Sequence, residues 1–218
     1  MKSNKLQTVE FYNQQFLINN NVHKPRKSTE YACQLMIDSI NRINQTTTIA
    51  DIGTGSGVLA ISIAQNCPNV KQVYATDLYK EALEVTQINI QKHKLRNIIS
   101  LKQGDLLKPL LNTKVDVILA NLPFADDIHL EKIKQIPDLN EPIVGMYGGP
   151  TGFELYEELF RQFNDYRYLS SVRFIWIICY ESHLKLLRKI KKQYFPNSRL
   201  KTIKDIYKPY IHCQIKLT

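Results

Sequence analysis

Four short runs of apolar and β-branched residues, Thr46–Asp51, Val70–Thr76, Ile98–Lys102 and Val115–Ala120, alternate with stretches of helical period. Runs of this length separated by helices read as strands buried on both faces. Parallel neighbours need a crossover, and the crossover is right-handed almost without exception, so helices cover both sides of one sheet. The helical stretches are Ser28–Asn44, with apolar residues at Tyr31, Cys33, Leu35, Met36, Ile37, Ile40 and Ile43, then Gly57–Asn66 and Lys80–His93. Ser28 or Thr29 offers an oxygen to cap the first of them. A helix at Gly152–Tyr168, the most apolar strand at Ser171–Tyr180 and a helix at Ser182–Lys192 continue the alternation. Two final strands, Arg199–Ile206 and Tyr210–Leu217, are joined around Lys208-Pro209. With only a turn between them they are expected to form an antiparallel hairpin at the sheet's edge.

The 218 residues suit one domain of ordinary size. Charge is unevenly placed along them. Lys185 to Thr218 carries ten basic residues against Asp205 alone, which accounts for the whole net charge of +9. Such a region suits nucleic acid or an acidic partner, or is simply a solvated lysine-rich surface. Cys33, Cys67, Cys179 and Cys213 lie far apart with no histidine at metal-ligand spacing, as expected of reduced structural thiols and no metal site. Met1 to Glu10 has no apolar segment of the kind that marks export, and Phe174–Tyr180 is far shorter than the ~20 residues a bilayer span needs. The expectation is a soluble, cytoplasmic protein without a membrane contact.

There are only eight glycines, in three places: Gly53, Gly55 and Gly57; Gly104; and Gly145, Gly148, Gly149 and Gly152. The first group lies in Asp51-Ile52-Gly53-Thr54-Gly55-Ser56-Gly57, where a strand meets a helix and the sheet's C-terminal edge binds ligands in doubly wound folds. A dinucleotide fingerprint needs Gly-x-Gly-x-x-Gly, and position 58 is Val. The spacing instead resembles an S-adenosylmethionine loop. That cofactor carries a positive sulfonium and no phosphate, so it tolerates nearby carboxylates and depends less on a helix N-terminus. Asp77, ending the next strand, is placed to accept from two ribose hydroxyls. Asp105 follows the third strand, within reach of an adenine edge. One such Asp is more often a cap or turn residue; three at successive strand ends are a pattern.

The fourth strand ends in Asn121-Leu122-Pro123-Phe124, which resembles the Asn-Pro-Pro-Tyr motif of methyltransferases acting on planar nitrogens. An amide or aniline-like nitrogen has a delocalised lone pair and is a poor nucleophile. Two acceptors, the Asn121 side-chain oxygen and the Leu122 carbonyl, suit its two N–H groups, so positioning and electrostatics carry the rate. Pro123 biases Leu122 toward an extended backbone, and Phe124 offers an aromatic face to a flat group. The whole pattern is that of a Rossmann-like α/β fold, the seven-stranded class I methyltransferase fold with a mostly parallel sheet.

Beyond these motifs the chain resembles the HemK/PrmC family of protein-glutamine methyltransferases. Pro25-Arg26-Lys27-Ser28-Thr29-Glu30 is similar to the family's Pro-Arg-Pro-x-Thr-Glu segment, and Phe16–Ile18 with Val22–Lys24 resembles the hairpin before it. Glu141-Pro142 followed by Gly148-Gly149-Pro150-Thr151-Gly152 resembles its Glu-Pro and Gly-Gly-x-Asp-Gly stretch, and Asp205-Ile206-Tyr207 its last hairpin. Thr151 stands where the family prefers Asp, and either can cap the helix that follows. The resemblance implies an N-terminal extension over 1–27 and an S-adenosylmethionine-dependent methyltransferase domain over 28–218. It implies cofactor contacts from Thr29, Asp51, Gly53, Thr54, Gly55, Gly57, Asp77, Leu78, Asp105, Leu106 and Asn121, and a catalytic segment Asn121, Leu122, Pro123 and Phe124. The acceptor it implies is the glutamine of the Gly-Gly-Gln motif in a translation release factor.

Two other readings stand beside it. One is an RNA or DNA methyltransferase acting on an exocyclic amine of adenine or guanine. Lys185, Arg188, Lys189 and Lys192 fall on one helical stripe suited to phosphates, although cations near a helix C-terminus are favoured anyway. The other is a non-catalytic cofactor-binding subunit, against which the intact Asn121, Asp77 and glycine loop speak.

Overall fold

The structure, a computed structural model, describes residues 5–136, 142–165 and 171–217. A hairpin of β1 (Gln7–Phe11) and β2 (Gln14–Ile18) comes first, then α1 (Lys27–Asn41), β3 (Thr47–Ile52), α2 (Val58–Asn66), β4 (Val70–Asp77), α3 (Lys80–Lys92) and β5 (Ile99–Gln103). β6 (Val117–Ala120), α4 (Asp127–Lys134), α5 (Glu154–Asp165), β7 (Phe174–Tyr180), α6 (Leu184–Tyr194), β8 (Arg199–Lys204) and β9 (Tyr210–Lys216) follow. The seven strands from β3 onward form one sheet in the order β5-β4-β3-β6-β7-β9-β8, parallel except at β9, which runs antiparallel to both neighbours. The closing hairpin is antiparallel as expected, but its second strand inserts between β7 and β8.

Every residue of β3 and β6 is buried, which is why these runs are apolar without alternation. Period two still governs which layer each side chain enters. Ile49, Val117, Leu119, Phe174, Trp176 and Ile178 pack with α1 and α2, whereas Ala50, Ile118, Ala120, Ile175, Ile177 and Cys179 pack with α5 and α6. Each fully buried Val, Leu, Ile or Phe among them contributes ~1.5–3 kcal/mol, so the central strands fix the register of the whole edge that bears the site. At the outer edge, Arg199, Lys201 and Lys204 of β8 are exposed, and charge on an edge strand deters pairing with other chains.

Some sequence expectations need correcting. Phe16–Ile18 does form a hairpin, but with Gln7–Phe11, not with Val22–Lys24. Its two-residue turn, Tyr12-Asn13, has φ of 51° and 58°, the geometry that follows the strands' twist. The Tyr12 N–H donates to Glu30 Oε1 at 2.8 Å and Asn89 of α3 bonds both the N–H and the carbonyl of Leu17, so the hairpin is fastened to the domain. α1 begins at Lys27, which places Ser28 and Thr29 in the first turn and Arg26 at the cap position, without a side-chain bond. Thr151 does not close the start of α5; Glu154 does, accepting from the Thr151 and Phe153 N–H groups at 2.9 and 3.0 Å. α4 was not foreseen because it buries none of its residues and so carries no apolar stripe. Glu141, and positions 166–168 of the helix expected over Gly152–Tyr168, lie outside the described residues.

Candidate active site

The C-terminal ends of β3, β4, β5 and β6 open into a cavity of about 720 Å³. It is walled by α1's first turn, the segment 142–147, Tyr180 and Tyr210. Of the residues expected to contact cofactor, Thr29, Gly53, Thr54, Gly55, Asp77, Leu78, Asp105, Leu106 and Asn121 line it, as do the catalytic candidates Asn121, Leu122, Pro123 and Phe124. Asp51 and Gly57 are not in its wall. The Asp51 carboxylate is buried beneath the loop, accepting from Thr54 Oγ1 at 2.7 Å; burial pushes its pKa up to about 6 despite that bond. Gly57 backs onto Thr86 of α3. These two residues shape the loop from behind.

The loop is braced from several sides. Gly53, Gly55 and Gly57 all have positive φ, a run that other residues take up only under strain. Thr86 Oγ1 donates to the Gly55 carbonyl at 2.6 Å and Asn89 Nδ2 to the Ser56 carbonyl at 2.8 Å. Asp77 Oδ2 accepts from the Gly55 N–H at 2.9 Å and Oδ1 from the Tyr79 N–H at 3.1 Å. Burial raises the Asp77 pKa, and these N–H groups oppose it. A carboxylate has about four lone-pair sites, so Asp77 keeps acceptor capacity toward the cavity. Asp105 is partly exposed and paired with Lys108 at 2.6 Å.

Asn121, at the end of β6, faces the cavity and its amide makes no hydrogen bond within the described residues. The backbone after it is clamped from behind. Ala125 bonds Met146 and Gly148 through its N–H and carbonyl, both at 2.9 Å. Gly148 passes so close that an added Cβ would sit 2.5 Å from the Pro123 carbonyl oxygen, and one at Gly152 2.4 Å from that of Phe124. Thus the third glycine group holds the motif's main chain.

Sequence reasoning missed the aromatic wall of the cavity that Asn121 lines. Tyr180 and Tyr210 stack at 5.6 Å and 19°, Phe124 meets Tyr180 edge-on at 4.8 Å, and His129 stacks on Tyr180's ring at 4.0 Å. Tyr180 and Tyr210 face each other because β9 pairs with β7 in that register. No local pattern announces a pairing between strands so far apart in sequence. Burial pushes the Tyr180 hydroxyl up to about 12, so it is neutral near pH 7 and serves as a donor or an aromatic surface, not a base. No group of metal-binding side chains occurs among the described residues.

A doubly wound sheet with this strand order, a glycine loop backed by acids and an unpaired amide at the fourth parallel strand defines a class I, S-adenosylmethionine-dependent methyltransferase. The "Methyltransferase small domain" family model matches residues 14–136. A release factor glutamine methyltransferase of Staphylococcus aureus is 31% identical over 200 residues, covering 91% of this chain and 69% of that protein. One of Moorella thermoacetica is 36% identical over 151 residues, covering 69% and 52%. The chain belongs to the release factor glutamine methyltransferase family, and spans from about half to about two thirds of the length of these relatives. Among solved structures, the ribosomal protein L11 methylase of Lactobacillus delbrueckii subsp. bulgaricus has a TM-score of 0.64 at 19% identity, covering 91% of this chain and 82% of that one. The hMettl16 catalytic domain in complex with a MAT2A 3'UTR hairpin has a TM-score of 0.71 at 13% identity, covering 93% and 74%. Both likenesses concern the fold.

The residues present fit the cofactor. Asp77 retains lone pairs for hydroxyls, Gly55 has open space where a Cβ would stand, and Asp77, Glu81 and Asp105 give the cavity wall carboxylates that suit a cationic sulfonium. Gly53 to Gly55, Asp77, Asp105 and Thr29 would hold it, and when bound it supplies an activated methyl group.

Proposed function

We infer that this chain transfers a methyl group from S-adenosylmethionine to the side-chain amide nitrogen of a protein glutamine, in the Gly-Gly-Gln motif of a translation release factor. The observation that carries the reading is the Asn121 amide, which faces the cavity at the end of β6 without a hydrogen bond among the described residues. Asn121 Oδ1 and the Leu122 carbonyl accept the two N–H bonds of the acceptor amide, which holds its nitrogen in place and favours its change toward tetrahedral geometry. No side chain has to remove a proton first. Phe124, Tyr180 and Tyr210 give the planar amide an aromatic enclosure and exclude water. The names of the relatives support the acceptor, and a release factor substrate implies a cytoplasmic site of action. No helix among the described residues is long and apolar enough to cross a membrane.

Purified protein with labelled S-adenosylmethionine is expected to label a release factor and not the same factor with its Gly-Gly-Gln glutamine changed to alanine. Label in total RNA, with none in the factor, overturns the reading.

One observation favours a contact with RNA besides. Lys185, Arg188, Lys189 and Lys192 of α6 are exposed while Leu187 and Ile190 are buried, so the helix presents a basic face. That contact predicts RNA binding that weakens steeply between 50 and 200 mM salt.

A further inference from the structure

Tyr156 of α5 is wholly buried, yet it carries a hydroxyl in an apolar layer beside Phe153. A buried hydroxyl costs free energy unless it is bonded. Its O–H donates to the Ile178 carbonyl at 2.5 Å and lies 3.4 Å from the Ala120 carbonyl. The backbone N–H of Leu122 is near enough to act on the same oxygen. One phenol therefore bonds the carbonyl just before Asn121 and one on the neighbouring strand, β7, and lies near the N–H just after Asn121. Ala120 is the last residue of β6, where the ladder with β7 stops at the pair Ala120 and Ile177. Past that point no β6–β7 pairing fixes Asn121 and Leu122.

We propose that Tyr156 is a positioning residue for methyl transfer: its hydroxyl replaces the missing ladder beyond Ala120 and aims the Asn121 side chain and the Leu122 carbonyl. The inference rests on the reading that these two groups accept the acceptor's N–H bonds. Orientation of such acceptors matters because displacement by about 1 Å costs on the order of 100-fold in rate. Tyr156 makes no contact with the cavity, whose wall does not include it. The glycine loop is held by Thr86 and Asn89 of α3 and by Asp77 instead, so cofactor binding is separable from what Tyr156 does.

The test is Tyr156→Phe, which keeps the ring and removes the oxygen. Turnover is expected to fall at least 10-fold, with the cofactor Kd unchanged within twofold. Combined with Asn121→Ala, it is expected to add less than its loss in the otherwise wild-type protein, because only the Leu122 carbonyl then remains to be misaimed. Full turnover in folded Tyr156→Phe overturns the inference, as does an equal loss in cofactor affinity, which marks a general structural role. If Asn121→Ala alone keeps full turnover, the acceptor reading falls instead. Should Tyr156→Phe not fold, hydrogen exchange in the wild-type protein decides: a slow Leu122 amide supports the tie, and one exchanging at the rate of open loop residues overturns it.

Discussion

The Asp77 carboxylate accepts a hydrogen bond from the backbone N–H of Gly55 at 2.9 Å, so the end of β4 and the loop after β3 hold each other in place. The same side chain therefore builds the loop while it lines the cavity with lone pairs to spare.

Asp77→Ala removes the acceptor for Gly55 and Tyr79 together with the proposed ligand contact. Hydrogen bonds to a charged group contribute ~1.5–3 kcal/mol, so cofactor Kd is expected to rise roughly 10- to 100-fold. Asp77→Asn keeps one acceptor oxygen and is expected to fall between. Calorimetric titration with S-adenosylhomocysteine measures this; an unchanged Kd in the alanine variant refutes the assignment.

Asn121→Ala is expected to do the reverse. Its amide is spent on nothing else within the described residues, so folding and cofactor affinity should stay within about twofold, while turnover falls on the order of 100-fold or more. Single-turnover kinetics at saturating cofactor separate the two. Equal effects of Asn121→Ala and Asp77→Ala on affinity contradict the division of labour.

The sheet and its motifs were legible in the sequence because their causes are local. Apolar runs of four to eight residues make buried strands, and the glycine loop, Asp77 and Asn121 stand at the ends of such runs. Three things were not legible for the opposite reason. The aromatic wall depends on β9 entering between β7 and β8, a pairing across a separation that local patterns do not encode. α4 buries none of its residues, so no apolar periodicity marks it. Asp51 reads as a ligand residue from its place in the loop, yet whether a side chain points up or down at a strand end is decided by packing, and here it points to Thr54.

Gly148→Ala tests the clamp behind the motif. Its Cβ would lie 2.5 Å from the Pro123 oxygen and 2.7 Å from Phe124 Cα, both main-chain atoms that move only together with the strand end. Such overpacking costs ~1–3 kcal/mol. Turnover is expected to drop by more than cofactor affinity, since the glycine touches the acceptor side only. Thermal unfolding and cofactor titration measured side by side check this; wild-type stability and turnover together would show that the close approach is unimportant.

The last strand carries a buried pair whose response to pH has a definite sign. His212 Nε2 lies 2.8 Å from Asp205 Oδ2 with both side chains fully buried, and Tyr31 meets the imidazole edge-on at 5.4 Å. Burial lowers the His212 pKa below its ordinary 6.5, although Asp205 opposes it. In the folded state the ring is therefore neutral where the unfolded chain has begun to take up a proton. Stability from this group is full above pH 6.5 and is lost as pH falls from there toward the folded pKa. Asp51 works the other way: with its pKa raised to about 6, the folded state binds the proton first, and stability rises as pH falls from about 6 toward 3.8. A single unfolding curve mixes the two, so the difference between wild type and His212→Gln is the informative quantity. The gap in unfolding free energy between them is expected to narrow as the buffer goes from pH 7.5 to 5.5. A gap independent of pH, followed by urea denaturation at each pH, would show that His212 does not titrate differently on folding.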